Sequence, residues 1–199
     1  EVGNAAPPNG PTGSPWFAYA SAPGSNRGVE LEATATPLSG LNINATVSWF
    51  DFKSDADPTL PNGQPNNVYV DPSFHVPAEW SGNLGAEYRW PLGSGSITPR
   101  IDWFYQGYRS NGVAYLPQLS GQDNKVPSFG LVNARITYAS EDGDWLLALS
   151  AENLFDKFYY STLGASTTLN PSGSAVAAFQ RSGVPGRGRE ISINLRRSF

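Results

Sequence analysis

Cysteine and methionine are both missing from the 199 residues. Without cysteine there is no disulfide and no thiolate metal site. Charge is sparse, with Asp, Glu, Lys and Arg making up 15% of the chain and a net charge of −4, which argues against non-specific nucleic-acid binding. Histidine occurs once, at His75, so a catalytic triad or a multi-histidine metal centre has almost nothing to be built from. No apolar run approaches the ~18 residues that a transmembrane helix needs. The opening EVGNAAPPNGPTGSP has neither the basic nor the apolar region of a signal peptide. With methionine absent, the expectation is a processed or excised segment.

What the chain does contain is 21 Gly, 17 Pro and 13% aromatics, a composition of turns and strands. A mean hydropathy of −0.35 would suit a soluble domain. It also suits a membrane β-barrel, whose strands face lipid with only every second residue. Helical periodicity is weak, whereas period-two alternation recurs and predicts seven strands, at 25–37, 41–53, 80–91, 96–110, 127–140, 143–156 and 187–199. The stretch 16–21 can extend the first strand past a bulge. Between the strands the connections 38–41, 92–95 and 140–143 are short, and 54–79, 111–126 and 157–186 are long. Strict alternation of short and long puts every long loop at one end, as in barrels with periplasmic turns and extracellular loops.

The faces agree with that reading. In the last strand Ile191, Ile193 and Leu195 alternate with Glu190, Ser192, Asn194 and Arg196. In the third, Trp80, Leu84, Ala86, Tyr88 and Trp90 alternate with Ser81, Asn83, Glu87 and Arg89. Trp80 and Trp90 lie ten residues apart on the apolar face. At a ~45° tilt that is roughly 23 Å along the membrane normal, close to the ~25 Å between aromatic girdles. Charge also selects a register at the turn 92–95. Glu87 opposite Arg100 and Arg89 opposite Asp102 are both allowed, whereas the intermediate pairing sets like charges face to face. The Glu87–Arg100 register, with Leu92 to Gly95 as the turn, is the one expected.

Chemistry is scarce. Asp51, Asp55 and Asp57 lack the glycine and distal glutamate of a calcium loop. GSGS at 93–96 precedes a strand and not a helix, so it is a turn rather than a phosphate cradle. No catalytic residue, cofactor or metal ligand is assigned, and the chain is not expected to be an enzyme. The long loops do combine aromatics with amides, as ligand vestibules do. Tyr69, Tyr115, Gln118, Tyr160, Phe179 and Arg181 are the candidate ligand contacts. Plain surface loops share this composition.

Several stretches carry a family resemblance. These are RGVELEAT (27–34), VPAEWSGNLGAEYRW (76–90), GLVNARITY (130–138), WLLALSAENLFDKFYY (145–160) and GRGREISINLRRSF (186–199). In order and spacing they resemble the C-terminal third of TonB-dependent outer-membrane receptors, with NLFDK (153–157) the most specific match and a structural role expected for it. Such receptors are 22-stranded barrels with a plugged lumen. The resemblance therefore implies one C-terminal barrel segment, residues 1–199, too short to be a whole transporter. The fold expected is all-β, an antiparallel meander of about seven strands that does not close by itself. The implied location is the bacterial outer membrane, and the implied function is uptake of a scarce nutrient such as an iron–siderophore complex. The implied partners are outer-membrane lipids, a small-molecule nutrient ligand and the TonB complex, reached through a plug region that nothing here resembles. The barrel-assembly machinery would read Ile191, Ile193, Leu195 and Phe199. One departure is Arg197, where the family often has an aromatic residue. A secreted, soluble β-sandwich that binds a glycan or mediates adhesion is the alternative.

Overall fold

A computed structural model describes residues 24–55, 61, 78–110, 125–169 and 176–198. In chain order the strands are β1 (Gly24–Leu38), β2 (Leu41–Ser54), β3 (Trp80–Tyr88), β4 (Trp90–Leu92), β5 (Gly95–Gln106), β6 (Arg109–Ser110), β7 (Lys125–Val126), β8 (Phe129–Ser140), β9 (Trp145–Glu152), β10 (Tyr160–Leu169), β11 (Val176–Pro185) and β12 (Glu190–Arg197). The main sheet runs β1-β2-β3-β5-β8-β9-β12, each neighbouring pair antiparallel, with β4 continuing the line of β3. The seven predicted strands all appear, and the sheet stays open, since β1 and β12 each pair with one neighbour only. The stretch 16–21 lies outside the described residues.

Glu87 faces Arg100 as charge required. The same register continues at Trp90↔Ile97 and Leu92↔Gly95, leaving Gly93 and Ser94 as the turn. The third strand breaks at Arg89, which this register sets beside Thr98 and Pro99. Pro99, opposite Tyr88 in this register, has no N–H for the ladder, while on the other side the Arg89 amide continues the pairing with the β2 hairpin by donating to the Gly40 carbonyl at 2.8 Å. Gly95 sits at φ 147°, and a Cβ there would come within 2.1 Å of the Ala139 carbonyl oxygen, so only glycine fits this corner.

One expectation is corrected. The segment 157–186 is not simply a loop, because β10 and β11 pair along most of it as a two-stranded ribbon. Within the predicted loop 111–126, β7 pairs with β6. The described residues thus form one sheet and two small ribbons, with no second sheet facing the first as a sandwich would require.

The two faces of the sheet differ in chemistry. On one, Val29, Leu31, Val47, Leu84, Ile101, Ile136, Leu147, Leu149, Ile191, Ile193 and Leu195 form a continuous apolar band, with Leu31 63% and Ile193 73% exposed. A soluble monomer does not leave so large an apolar surface in water. Aromatic rows bound the band. Trp49, Trp80, Trp103 and Tyr105 lie at the long-loop end, with Trp49–Trp80 centroids 6.4 Å and Trp103–Tyr105 centroids 6.0 Å apart. Tyr88 and Trp90, 6.3 Å apart, lie at the short-turn end, where Arg197 stacks 4.8 Å over Trp145. Arg197 therefore departs from the family pattern without leaving a bare charge in the apolar band.

The turn after β8 is closed by side chains. Ser140 Oγ donates to Asp142 Oδ1 at 2.5 Å, the Asp144 amide donates to the same oxygen at 3.0 Å, and the Trp145 amide donates to Ser140 Oγ at 2.9 Å. The Ser140 hydroxyl, and after it the Asp144 amide, hold the Asp142 carboxyl below its ordinary pKa. A depressed carboxyl stabilises the turn above its unfolded pKa, and the contribution is lost as pH falls through the folded value. Carboxyl-carbon NMR should find Asp142 titrating low, and Ser140→Ala should move it back up. Unchanged titration in that variant would remove the hydroxyl as the cause.

Candidate functional site

On the polar face, one arginine ties three strands together. Arg100 on β5 donates from Nε and Nη2 to the two oxygens of Asp102, at 2.9 and 2.6 Å. It also reaches Glu87 Oε2 on β3 at 3.3 Å and Asn44 Oδ1 on β2 at 3.1 Å. Asn42 extends the chain, donating to Glu87 Oε1 at 3.3 Å and accepting from Thr36 Oγ1 at 3.1 Å. The network lies across Gly85. A Cβ there would stand 2.5 Å from Asn44 Oδ1, 2.6 Å from Asp102 Oδ1 and 2.7 Å from Arg100 Nη2. Arg135 is directly opposite Arg100 on β8, a like-charge pair. The Arg100 guanidinium is committed to β2, β3 and its own strand, while Arg135 Nε donates to Thr137 Oγ1 at 3.1 Å.

Higher on this face a groove is lined by Glu30, Glu32, Thr46, Ser48, Ser81, Asn83 and Phe104. Ser48 and Ser81 share a hydrogen bond of 2.8 Å. From Phe104 the rings continue upward, to Phe129 at 6.0 Å and then Tyr159 at 4.4 Å. Carboxylates, hydroxyls, an amide and aromatic faces can hold a polar, partly apolar ligand. Among the described residues no group of three or more His, Asp or Glu is placed to bind a metal ion. Nearby Tyr108 has its phenol pKa raised, by burial first and by Glu79 second.

The ribbon is fastened at its base by the NLFDK segment. Asn153 is buried and adopts φ 47°, ending β9. Its amide group donates to Lys157 O at 2.9 Å and Arg187 O at 3.0 Å, and it accepts from the Lys157 amide at 2.8 Å. Its backbone N–H donates to Asn133 Oδ1 at 2.9 Å. Asp156, at φ 52°, accepts the Arg189 amide at 2.9 Å. The motif thus joins the chain leaving the sheet to the chain returning, which is the structural role expected of it. Arg109 adds a tie, its guanidinium donating to the Ser161 carbonyl.

The predicted ligand contacts separate into three groups. Tyr69, Tyr115 and Gln118 lie outside the described residues, as do Phe199 and His75. Tyr160 opens β10, with its ring edge-on to Phe158 at 5.1 Å and lying over Gly183. Phe179 and Arg181 are in β11, at every second position from Gly183, paired with Thr167 and Ala165. The ribbon therefore brings the positions of Tyr160, Phe179 and Arg181 onto one element. Ile191, Ile193 and Leu195 form an apolar row on the edge strand β12. Sequence reading passed over Phe104, Gly85 and Asn133. Phe104 was signalled by its parity, since it is the large aromatic on the polar side of β5.

Residues 2–154 match the family described as TonB dependent receptor-like, beta-barrel. Solved structures share the fold. The ferric yersiniabactin uptake receptor of Yersinia pestis aligns over 90% of this chain at a TM-score of 0.65 and 16% identity. A siderophore receptor of Acinetobacter baumannii aligns over 86% at 0.58 and 16%. The ferripyoverdine receptor of the Pseudomonas aeruginosa outer membrane aligns over 88% at 0.55 and 15%. The chain covers 24%, 21% and 20% of those three proteins, so it corresponds to a part of each.

Proposed function

The chain belongs to the TonB-dependent receptor β-barrel family, and from that premise we propose that it forms part of the wall of a bacterial outer-membrane receptor importing a scarce nutrient, an iron–siderophore complex. The observation that carries the reading is the two-faced sheet: an apolar band between aromatic rows on one side and the Arg100 network on the other. Only a membrane makes the first face favourable, and only a polar lumen the second. Seven strands are about a third of a 22-stranded wall. The similar structures whose names specify siderophore uptake support the substrate class.

In this reading the long connections face outward from the cell, and Tyr69, Tyr115, Gln118, Tyr160, Phe179 and Arg181 contact ligand. Lipid covers the apolar face. The edge row Ile191, Ile193 and Leu195, with Phe199, pairs with the barrel-assembly machinery by strand addition. The TonB complex acts on the plug region of the whole receptor.

Replacing residues 111–124 by a short Gly-Ser link leaves the β6–β7 pair in place. In the whole receptor it should weaken binding of the ferric siderophore by about tenfold or more, a loss of at least ~1.4 kcal/mol. Heat-modifiable gel migration should be unchanged. Normal binding in well-assembled protein would place recognition elsewhere in the receptor.

A further inference from the structure

We propose that Arg109 is a positioning residue for ligand recognition: it ties β6 to the root of the β10–β11 ribbon and so fixes the positions of Tyr160, Phe179 and Arg181. This rests on the reading of the long connections as the ligand-binding end of a receptor wall. The two ribbons do not stand apart. β6–β7 has only the ladder pairs Arg109↔Val126 and Ser110↔Lys125, and an isolated two-stranded ribbon is marginal in water. Yet β7 packs against β10, with Val126 fully buried and Leu163 6% exposed. The apolar band of the main sheet is exposed, so this small dry core belongs to the long-loop end and joins the two ribbons.

Arg109 gives that contact its direction. Ser161 is the extra residue of a bulge, since Tyr160 pairs with Pro185 and Thr162 with Val184. A bulge residue is left out of the ladder, and the Ser161 carbonyl takes the Arg109 guanidinium as its donor. The Ser161 hydroxyl is occupied too, donating to the Val184 carbonyl at 3.0 Å. No carboxylate pairs with Arg109 among the described residues, so its charge is directed at this carbonyl. On the returning strand a Cβ at Gly183 would stand 2.7 Å from Leu163 and 2.8 Å from Tyr160, so both side chains lie directly over β11. The geometry is that of a lever. Phe179 pairs with Thr167, six residues beyond Ser161, which is about 20 Å at ~3.3 Å per residue. A tilt of roughly 10° at the root moves that end by about 3 Å, against the ~0.5 Å that a binding constellation tolerates.

The test uses the full-length receptor in detergent micelles, spin-labelled at Ala178→Cys on β11 and Glu141→Cys in the turn after β8; this chain has no cysteine of its own to compete. Pulsed electron spin resonance should give a narrow distance distribution with Arg109 present and one about twofold broader in Arg109→Met. Arg109→Lys should restore part of the order, because its ammonium still donates to a carbonyl. Affinity for a ferric trihydroxamate or a ferric tricatecholate, whichever the wild type binds, should fall about fivefold or more in Arg109→Met. In a Phe179→Ala, Arg181→Ala background the same substitution should cost nothing further, since the contacts that Arg109 positions are already gone. If Arg109→Met does not assemble, as heat-modifiable migration reports, Arg109→Gln, shorter and uncharged, takes its place. A wild-type distance distribution without Arg109, or an additive loss of affinity in the triple variant, overturns the proposal. Failure of the wild type to bind either chelate counts against the siderophore reading, and the distances still decide what Arg109 does.

Discussion

Asn153→Ala is expected to destabilise the barrel wall by about 3 kcal/mol, with three side-chain hydrogen bonds at ~1 kcal/mol each, and slightly more because alanine tolerates the left-handed region less readily than asparagine. The residue is buried, so Lys157 O, the Lys157 amide and Arg187 O would lose their partner in a place water reaches poorly. Asn153→Gly keeps the backbone conformation and loses only the bonds, so it should recover that small excess. The midpoint of urea unfolding in detergent micelles reports both, and protease nicking of 157–186 reports the loosened ribbon. A wild-type midpoint in Asn153→Ala would mean that the Asp156–Arg189 and Arg109–Ser161 ties hold the base alone.

Gly85→Leu should be nearly as damaging, for a reason that lies on the two neighbouring strands. A side chain there displaces Asn44, Asp102 and Arg100 together. It leaves Glu87 and Asp102 competing for water instead of the guanidinium. Arg100 and its two carboxylates are about a third exposed, so solvent screening reduces the cost to ~2–3 kcal/mol rather than that of a dry ion cluster. The decisive measurement is a double-mutant cycle with Arg100→Met. If Gly85 acts by making room for the guanidinium, Gly85→Leu should cost only ~1 kcal/mol once Arg100 is gone. Additive effects would show that Gly85 is needed for the backbone alone.

The main sheet was legible because an apolar face on one side and a polar face on the other impose a strict period of two. Ile191, Ile193 and Leu195 cannot slip by one residue without turning onto the polar face. Charge did the same for Glu87 and Arg100. The β10–β11 ribbon was not legible for the converse reason: it stands away from the sheet, and its small residues, such as Gly164, Ala165, Ala177 and Ala178, show no alternation to detect. Asn153 was visible as part of a motif, but its bond to Arg187 spans 34 residues and depends on where the ribbon returns. Gly85 looked like any strand glycine, since its necessity comes from side chains on β2 and β5.

The clamp at the root of the ribbon has an evolutionary consequence. Asn153 and Asp156 fix the distance between the departing and returning chains whatever lies beyond Tyr160 and Pro185. Lengthening such an excursion is thermodynamically mild, since doubling it costs only ~0.6 kcal/mol in closure entropy. A lineage could therefore exchange the distal ribbon wholesale, or an engineer could graft a foreign epitope onto it, and the barrel wall beneath would keep its register.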